Sequence, residues 1–208
     1  MMRKVMLGLL MVVVIYFVVG GLIFNHLFPP KQPSYGGYFS THRILKSEVE
    51  GVKMTITKVE NEQAYARLEL VPGAVGPPEH LHETFDEYFM VKEGTLAVIV
   101  NGKKKSVRQG ESIMIPKNTP HKVFNESDKR VIVYDSLDKK SMMTAEFAYG
   151  LAQFYPQMDK IGDPNSPKIL LCLAAQGNMF DTWRSDVPLP AQKIIRWILG
   201  PSARLLGF

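Results

Sequence analysis

A single cysteine in 208 residues excludes an intrachain disulfide and any cysteine-rich zinc module. That residue, Cys172, sits in the apolar run 169–175 and reads as a small buried side chain rather than a reactive thiol. A basic block is also missing. The net charge of +5 comes from scattered lysines and arginines, which argues against nucleic acid as a partner. The chain has no internal repeat, no nucleophile elbow and no phosphate-binding loop. Charge is wholly absent from residues 5–24, which follow Arg3 and Lys4. About 20 apolar residues suffice for a helix to cross a bilayer core. The positive flank lies before this run, so a single-pass anchor is expected, with a cytoplasmic N-terminus and the rest of the chain outside the cytoplasm. A cleaved signal peptide or a buried core helix is less favoured: the run is long for a signal, and Leu22, Ile23 and Phe24 continue it past Val19-Gly20-Gly21.

What remains falls into three parts. Residues 29–37 hold three prolines and two glycines and read as a linker, with His26 and His42 near it as exposed or interfacial histidines. From residue 52 to 136 the pattern is β throughout. Short alternating or apolar runs (52–57, 64–71, 87–91, 95–100, 104–107, 112–115, 122–124, 130–134) are separated by turn residues. Asn101-Gly102 between two such runs is a strong hairpin signal. After residue 138 the periodicity becomes helical. One helix is expected over 141–158, a second is capped by Ser166 with Pro167 at its first turn and ends by Gly177, and a third starts near Leu189-Pro190 and is interrupted at Gly200-Pro201. Residues 187–208 carry Lys193, Arg196 and Arg204, a tryptophan and no acid. Such a helix suits a membrane surface, or packing on the barrel or on a second subunit in a homodimer. The expected division is anchor 1–25, linker 26–40, β-barrel 41–138 and helical extension 139–208.

Three of the five histidines, His80, His82 and His121, are the candidate metal ligands, with Glu87 as the fourth. Side chains two apart on a strand point the same way, so His80 and His82 share a face. Glu87 opens the next apolar run, with Phe89 and Val91 on its own side and Tyr88 on the other. His121 follows a proline turn. In a closed barrel these four side chains can converge. Three neutral imidazoles and a carboxylate suit a divalent transition metal (iron, manganese, nickel, copper, cobalt or zinc) and leave positions open to water, dioxygen or substrate. Met114 or Ile115 joins Phe89 and Val91 as expected apolar lining. Glu79, Glu83 and Asp86 read as solvated loop carboxylates.

The region 73–125 resembles the two motifs of the cupin superfamily. The first is met by His80, His82, Glu87 and Gly94, the second by Gly110, Pro116, His121 and Asn125. Two motif glycines are replaced, by Ala74 (flanked by Gly73 and Gly76) and by Asn118, a residue that also tolerates a left-handed turn. The resemblance covers only the β region and implies a mainly β fold, the cupin double-stranded β-helix or jelly-roll barrel; the N-terminal transmembrane helix and the C-terminal helical extension are expected from the residue pattern alone. It implies a metal-dependent, quercetinase-like dioxygenase acting on a small, largely apolar or aromatic molecule, with Glu87 as both ligand and catalytic base. A non-oxidative isomerase or lyase, and a non-catalytic small-ligand sensor at the membrane, are the alternatives.

Overall fold

The computed structural model describes residues 2–30, 34–40, 43–134 and 143–208. The expected exposure of His42, part of the linker (31–33), the 138/139 boundary and the expected helix start at Ser141 and Met142 lie outside the described residues.

The chain opens with α1 (Met2–Leu27), followed by one helical turn, α2 (Tyr35–Tyr38). Strands then follow in order: β1 (Ile44–Ser47), β2 (Val52–Glu60), β3 (Gln63–Leu70), β4 (His80–Leu81), β5 (Glu87–Glu93), β6 (Thr95–Val100), β7 (Lys103–Arg108), β8 (Ser112–Ile115), β9 (His121–Phe124) and β10 (Val131–Tyr134). The last part comprises β11 (Met143–Thr144), α3 (Ala145–Ile161), α4 (Pro167–Gln176), β12 (Trp183–Arg184) and α5 (Leu189–Leu205). One sheet runs β1-β2-β3-β10-β5-β8, with β11 also on β3, and the other runs β12-β4-β9-β6-β7. Among the described residues every pairing is antiparallel. This is the two-sheet, mainly β arrangement expected from the sequence.

Local chemistry accounts for most of these elements. Asn101 and Gly102 both take positive φ (50° and 70°), as the turn between β6 and β7 requires. The exposed Lys103, Lys104 and Lys105 lie on β7, an end strand of its sheet, where lysine discourages pairing with another chain. Along β5 the buried residues are Glu87, Phe89 and Val91, while Tyr88 and Met90 are only half-buried. Ile115 is buried and Met114 is 51% exposed, but of the expected lining residues Phe89 alone lines the cavity beside the centre, and Val91, Met114 and Ile115 do not.

The helices close over the sheets. Phe147, Leu151, Phe154 and Met158 of α3 belong to one apolar core with Leu68, Phe89 and Val133 of the strands. The first helix starts later than its periodicity suggests: Met143 and Thr144 pair with β3, and the Thr144 hydroxyl accepts from the Phe147 amide at 3.1 Å as an N-cap. Ser166 caps α4 as expected, with Pro167 in its first turn.

Two expectations are corrected. The linker is not wholly irregular: Tyr35 packs tilted and Tyr38 edge-on against Tyr149 of α3, and this packing holds the single turn of α2. Nor is α5 interrupted at Gly200-Pro201. Proline removes the amide that would bond the Trp197 carbonyl four residues back. Here that carbonyl accepts instead from Asn25 Nδ2 of α1, at 3.1 Å. Gly200 lets α5 approach α4 closely: a Cβ there would lie 2.8 Å from the Ala174 carbonyl oxygen. Gly200→Ala is therefore expected to lower stability by about 1–3 kcal/mol in denaturant unfolding, because a backbone atom must move.

Among the described residues α1 is the one helix long and apolar enough to cross a bilayer, and a signal sequence meets the same description. Its 26 residues extend about 39 Å. Its base is tied to the helical extension. The Trp197 ring packs where Gly21 lacks a side chain, and Arg204 donates to Asn25 Oδ1 at 2.8 Å.

Candidate metal centre

The register explains why the histidines meet. β4 pairs with β9 so that His80 and His121 are direct cross-strand partners, and His82 lies two residues on from His80 along the same face. Glu87 comes from the other sheet, at the start of β5 opposite Ile115. One ligand atom from each of the four lies within 4.8 Å of the others, and all four residues are buried. The sequence-selected quartet is thus brought together at one point between the sheets.

Each imidazole is oriented by its far nitrogen. His80 Nδ1 contacts the Pro78 carbonyl at 2.9 Å, His121 Nδ1 the Thr119 carbonyl at 2.8 Å, and His82 Nδ1 the Asp181 carbonyl. A carbonyl oxygen only accepts, so each Nδ1 carries the proton and each Nε2 presents a lone pair. His82 Nε2 and His121 Nε2 are buried and make no hydrogen bond within the protein. His121 Nε2 lies 2.8 Å from Glu87 Oε2, and His82 Nε2 lies 3.5 Å from Glu87 Oε1. Lone pairs facing a carboxylate at such distances require a cation among them, a proton or a metal ion. The donor set fits a divalent transition metal on this ground.

The electrostatics agree. Burial alone would raise the Glu87 carboxyl, but His82 and His121 beside it hold it below the usual carboxylate range. Burial and the neighbouring His82 and His121 push His80 down to about 3, so it stays neutral. His121 is opposed by burial yet rises above its ordinary value, because the Glu87 carboxylate beside it favours the charged ring.

The loops that carry the ligands use the departures from the cupin motifs. Asn118 takes φ +62°, and its amide donates to the His82 carbonyl at 2.6 Å. Gly76 takes φ +63°, where any Cβ would overlap the Val123 carbonyl next to His121. Asn125 is buried and structural: its amide nitrogen donates to the Val71 and Lys129 carbonyls at 2.8 and 2.7 Å. The three acids read as solvated loop carboxylates are half-buried (Glu79, Glu83) or exposed (Asp86), and each has a partner. Glu79 accepts from the Ser185 hydroxyl at 2.8 Å, Glu83 pairs with Lys193 at 2.8 Å, and Asp86 accepts from the Lys117 amide at 2.8 Å.

Sequence reasoning missed the contribution of residues 180–184. β12 pairs with β4, placing Arg184 across from His80. The Asp181 carbonyl orients His82, and its carboxylate accepts from the Glu83 and Thr84 amides, the Thr84 hydroxyl and the Trp183 indole. Arg196 of α5, itself buried, donates to the Phe180 and Thr182 carbonyls and lies 4.0 Å from the centre of the Trp183 ring. Phe85 and Phe147 flank the His82 ring at 4.3 and 4.8 Å. No motif marks these residues. The only signal is the apolar and aromatic content of a segment otherwise rich in turns.

Beside His80 and Glu87 opens a cavity of about 130 Å³. Its walls are largely apolar, drawn from Met54, Leu68 and Phe89 of the strands and Phe147, Leu151 and Phe154 of α3. An apolar cavity of roughly 150 Å³ admits benzene, so this volume matches a ring-sized ligand.

Fold and site together define a small two-sheet β protein with a buried three-histidine, one-glutamate centre. Residues 66–137, which include all four centre residues, match the family model for the cupin domain. The oxidoreductase iacF of Pestalotiopsis fici is 28% identical over 102 residues, covering 46% of this chain and 50% of its own length. The chain therefore spans about half of that relative. The pectin degradation protein KdgF of Dickeya dadantii is 26% identical over 84 residues, covering 40% of this chain and 76% of its own. The solved structure of KdgF from Halomonas sp. is 27% identical and covers 47% of this chain and 89% of that one, with a TM-score of 0.38.

Proposed function

We propose that the protein is a metal-dependent cupin enzyme, a dioxygenase-like oxidoreductase acting on a small, largely apolar or aromatic molecule. The observation that carries this reading is the pair of buried, unpartnered His82 and His121 Nε2 atoms facing Glu87 beside an apolar cavity. His80, His82, His121 and Glu87 would hold the ion. A bound transition metal would supply Lewis acidity toward a substrate oxygen and, where redox-active, electron exchange with dioxygen. The chain's own residues do the rest. The carbonyls of Pro78, Thr119 and Asp181 keep the imidazoles in one tautomer and one orientation. The aromatic wall excludes water, and Glu87, ionised and buried, accepts a proton from an enolic or phenolic hydroxyl entering the cavity. The similarity to iacF, named an oxidoreductase, points the same way.

A second reading is favoured by the similarity to KdgF, a pectin degradation protein: non-oxidative isomerase or lyase chemistry at the same centre. Elemental analysis of the purified chain, with oxygen uptake measured on catechol-like and flavonol-like compounds, separates the two. The oxidative reading predicts bound redox-active metal and oxygen consumption abolished by Glu87→Gln. Zinc without oxygen uptake rejects it. We further propose that α1 anchors the chain, with its N-terminus cytoplasmic and the barrel on the far side. The intact chain should then stay with membranes through a carbonate wash, and release of a mature protein starting near residue 22 rejects the anchor.

A further inference from the structure

The cavity has a second polar end that the metal chemistry does not use. Glu50 and Tyr155 both line it, both are buried, and the Tyr155 hydroxyl hydrogen-bonds the Glu50 carboxylate. Glu50 sits in the turn between β1 and β2, where a carboxylate is ordinarily solvated. It is held inward by α3. Asp159, one helical turn beyond Tyr155, accepts from the Ser47 hydroxyl at 3.1 Å and from the Glu48 and Val49 amides at 2.9 and 3.1 Å. On the other side the Gly76 amide bonds the Glu50 carbonyl at 3.0 Å. The turn is therefore fixed from both flanks with its carboxylate facing the cavity.

This arrangement weakens the fold at neutral pH. Burial pushes the Glu50 carboxyl up to about 7; Asp159 of α3 adds to the rise, while Tyr155 of α3 and Lys122 of β9 oppose it. A carboxyl raised above its unfolded value contributes stability at low pH that is lost as pH climbs toward 7. An acid placed where it destabilises, in the wall of a cavity, is a candidate for ligand recognition.

We propose that Glu50, set by Tyr155, is the second anchor of the cavity and selects ligands that carry a hydroxyl group on an apolar ring or chain, in addition to the oxygen that the metal would take. The inference rests on the enzyme reading above for the metal end of the ligand. Glu50 itself is independent of that end. When ionised, it accepts a hydrogen bond from the ligand hydroxyl through an oxygen lone pair that Tyr155 leaves free.

Phenol and toluene, nearly equal in size, are the probes. The chelator-treated full chain in nanodiscs is titrated with each between pH 5.5 and 8.5, with empty discs subtracted. Phenol affinity should rise about tenfold across this range as Glu50 ionises, while toluene affinity stays flat. Glu50→Gln should abolish the rise, and Glu50→Met should abolish the preference for phenol; cooperative thermal unfolding of each variant verifies its fold. A flat phenol profile in the wild type, or a rise that survives in Glu50→Gln, overturns the proposal. Because no metal is present, failure of the metal-enzyme reading leaves this result standing. Conversely, bound metal and turnover with a flat phenol profile reject the second anchor alone.

Discussion

His121→Ala should leave the purified protein with only traces of metal, its affinity for a divalent ion reduced on the order of a hundredfold or more. His121 lies against two of the other three ligands. Its Nε2 lies 2.8 Å from Glu87, and it faces His80 directly across the β4–β9 pair. The alanine variant keeps His80, His82 and Glu87 but opens one wall of the site to water. Protons compete unevenly for the same lone pairs in the wild type. His80, held down to about 3, stays neutral through ordinary pH, whereas His121 gains a proton above its ordinary value of about 6.5 when no metal is bound. Metal affinity should therefore fall as pH drops through the raised His121 value, since the ion must then displace the proton held there. Competition titrations of Zn²⁺ against a chelator at several pH values check both statements. Full metal content in His121→Ala means the ion lies elsewhere.

The contrast between what the sequence disclosed and what it hid follows interaction range. The His80-x-His82 spacing is readable because strand side chains alternate, and the Asn101-Gly102 turn because its backbone demands positive φ. Glu87 is readable from the apolar residues that follow it on its own face. The partners of these residues are not readable, because they depend on chain segments far away. A backbone carbonyl such as that of Asp181 has no side-chain signature, though it orients a ligand 99 residues earlier. Proline at 201 predicts a break, and the helix persists because Asn25, from the other end of the chain, takes the carbonyl that proline leaves unpaired. Gly21 looked like part of a poor cleavage site and proves to be a seat for Trp197. Glu50 carries no signal at all: a glutamate next to glycine in a turn is ordinarily solvated, and here packing against α3 and the loop at Gly76 buries it.

The second large effect is expected at Asp181, outside the region that matches the cupin domain. Asp181→Ala removes the acceptor shared by two backbone amides, a threonine hydroxyl and a tryptophan indole, at distances of 2.6–3.0 Å. Each buried donor left unpaired costs about 1–3 kcal/mol, and water entering from the Glu83 side should satisfy some of them. A net loss of about 3 kcal/mol is expected in urea unfolding at pH 7. The charge matters as well as the shape. Burial tends to raise this carboxyl, but the donors from Thr84, Glu83 and Trp183 hold it below the usual aspartate range. Its contribution is therefore fully present above about pH 4 and lost as pH falls through the lowered value, so wild type and variant should converge in acid. Asp181→Asn should fall between them, since an amide group points hydrogens at donors. The same substitution loosens the loop whose carbonyl orients His82, and an outer-shell loss of this kind typically lowers metal affinity by about 10–100-fold. A merely structural Asp181 would lower stability and leave the affinity of the folded protein unchanged. If both fall together, the helical extension is part of the metal centre, and a barrel cut off after β10 will not bind metal as the whole chain does.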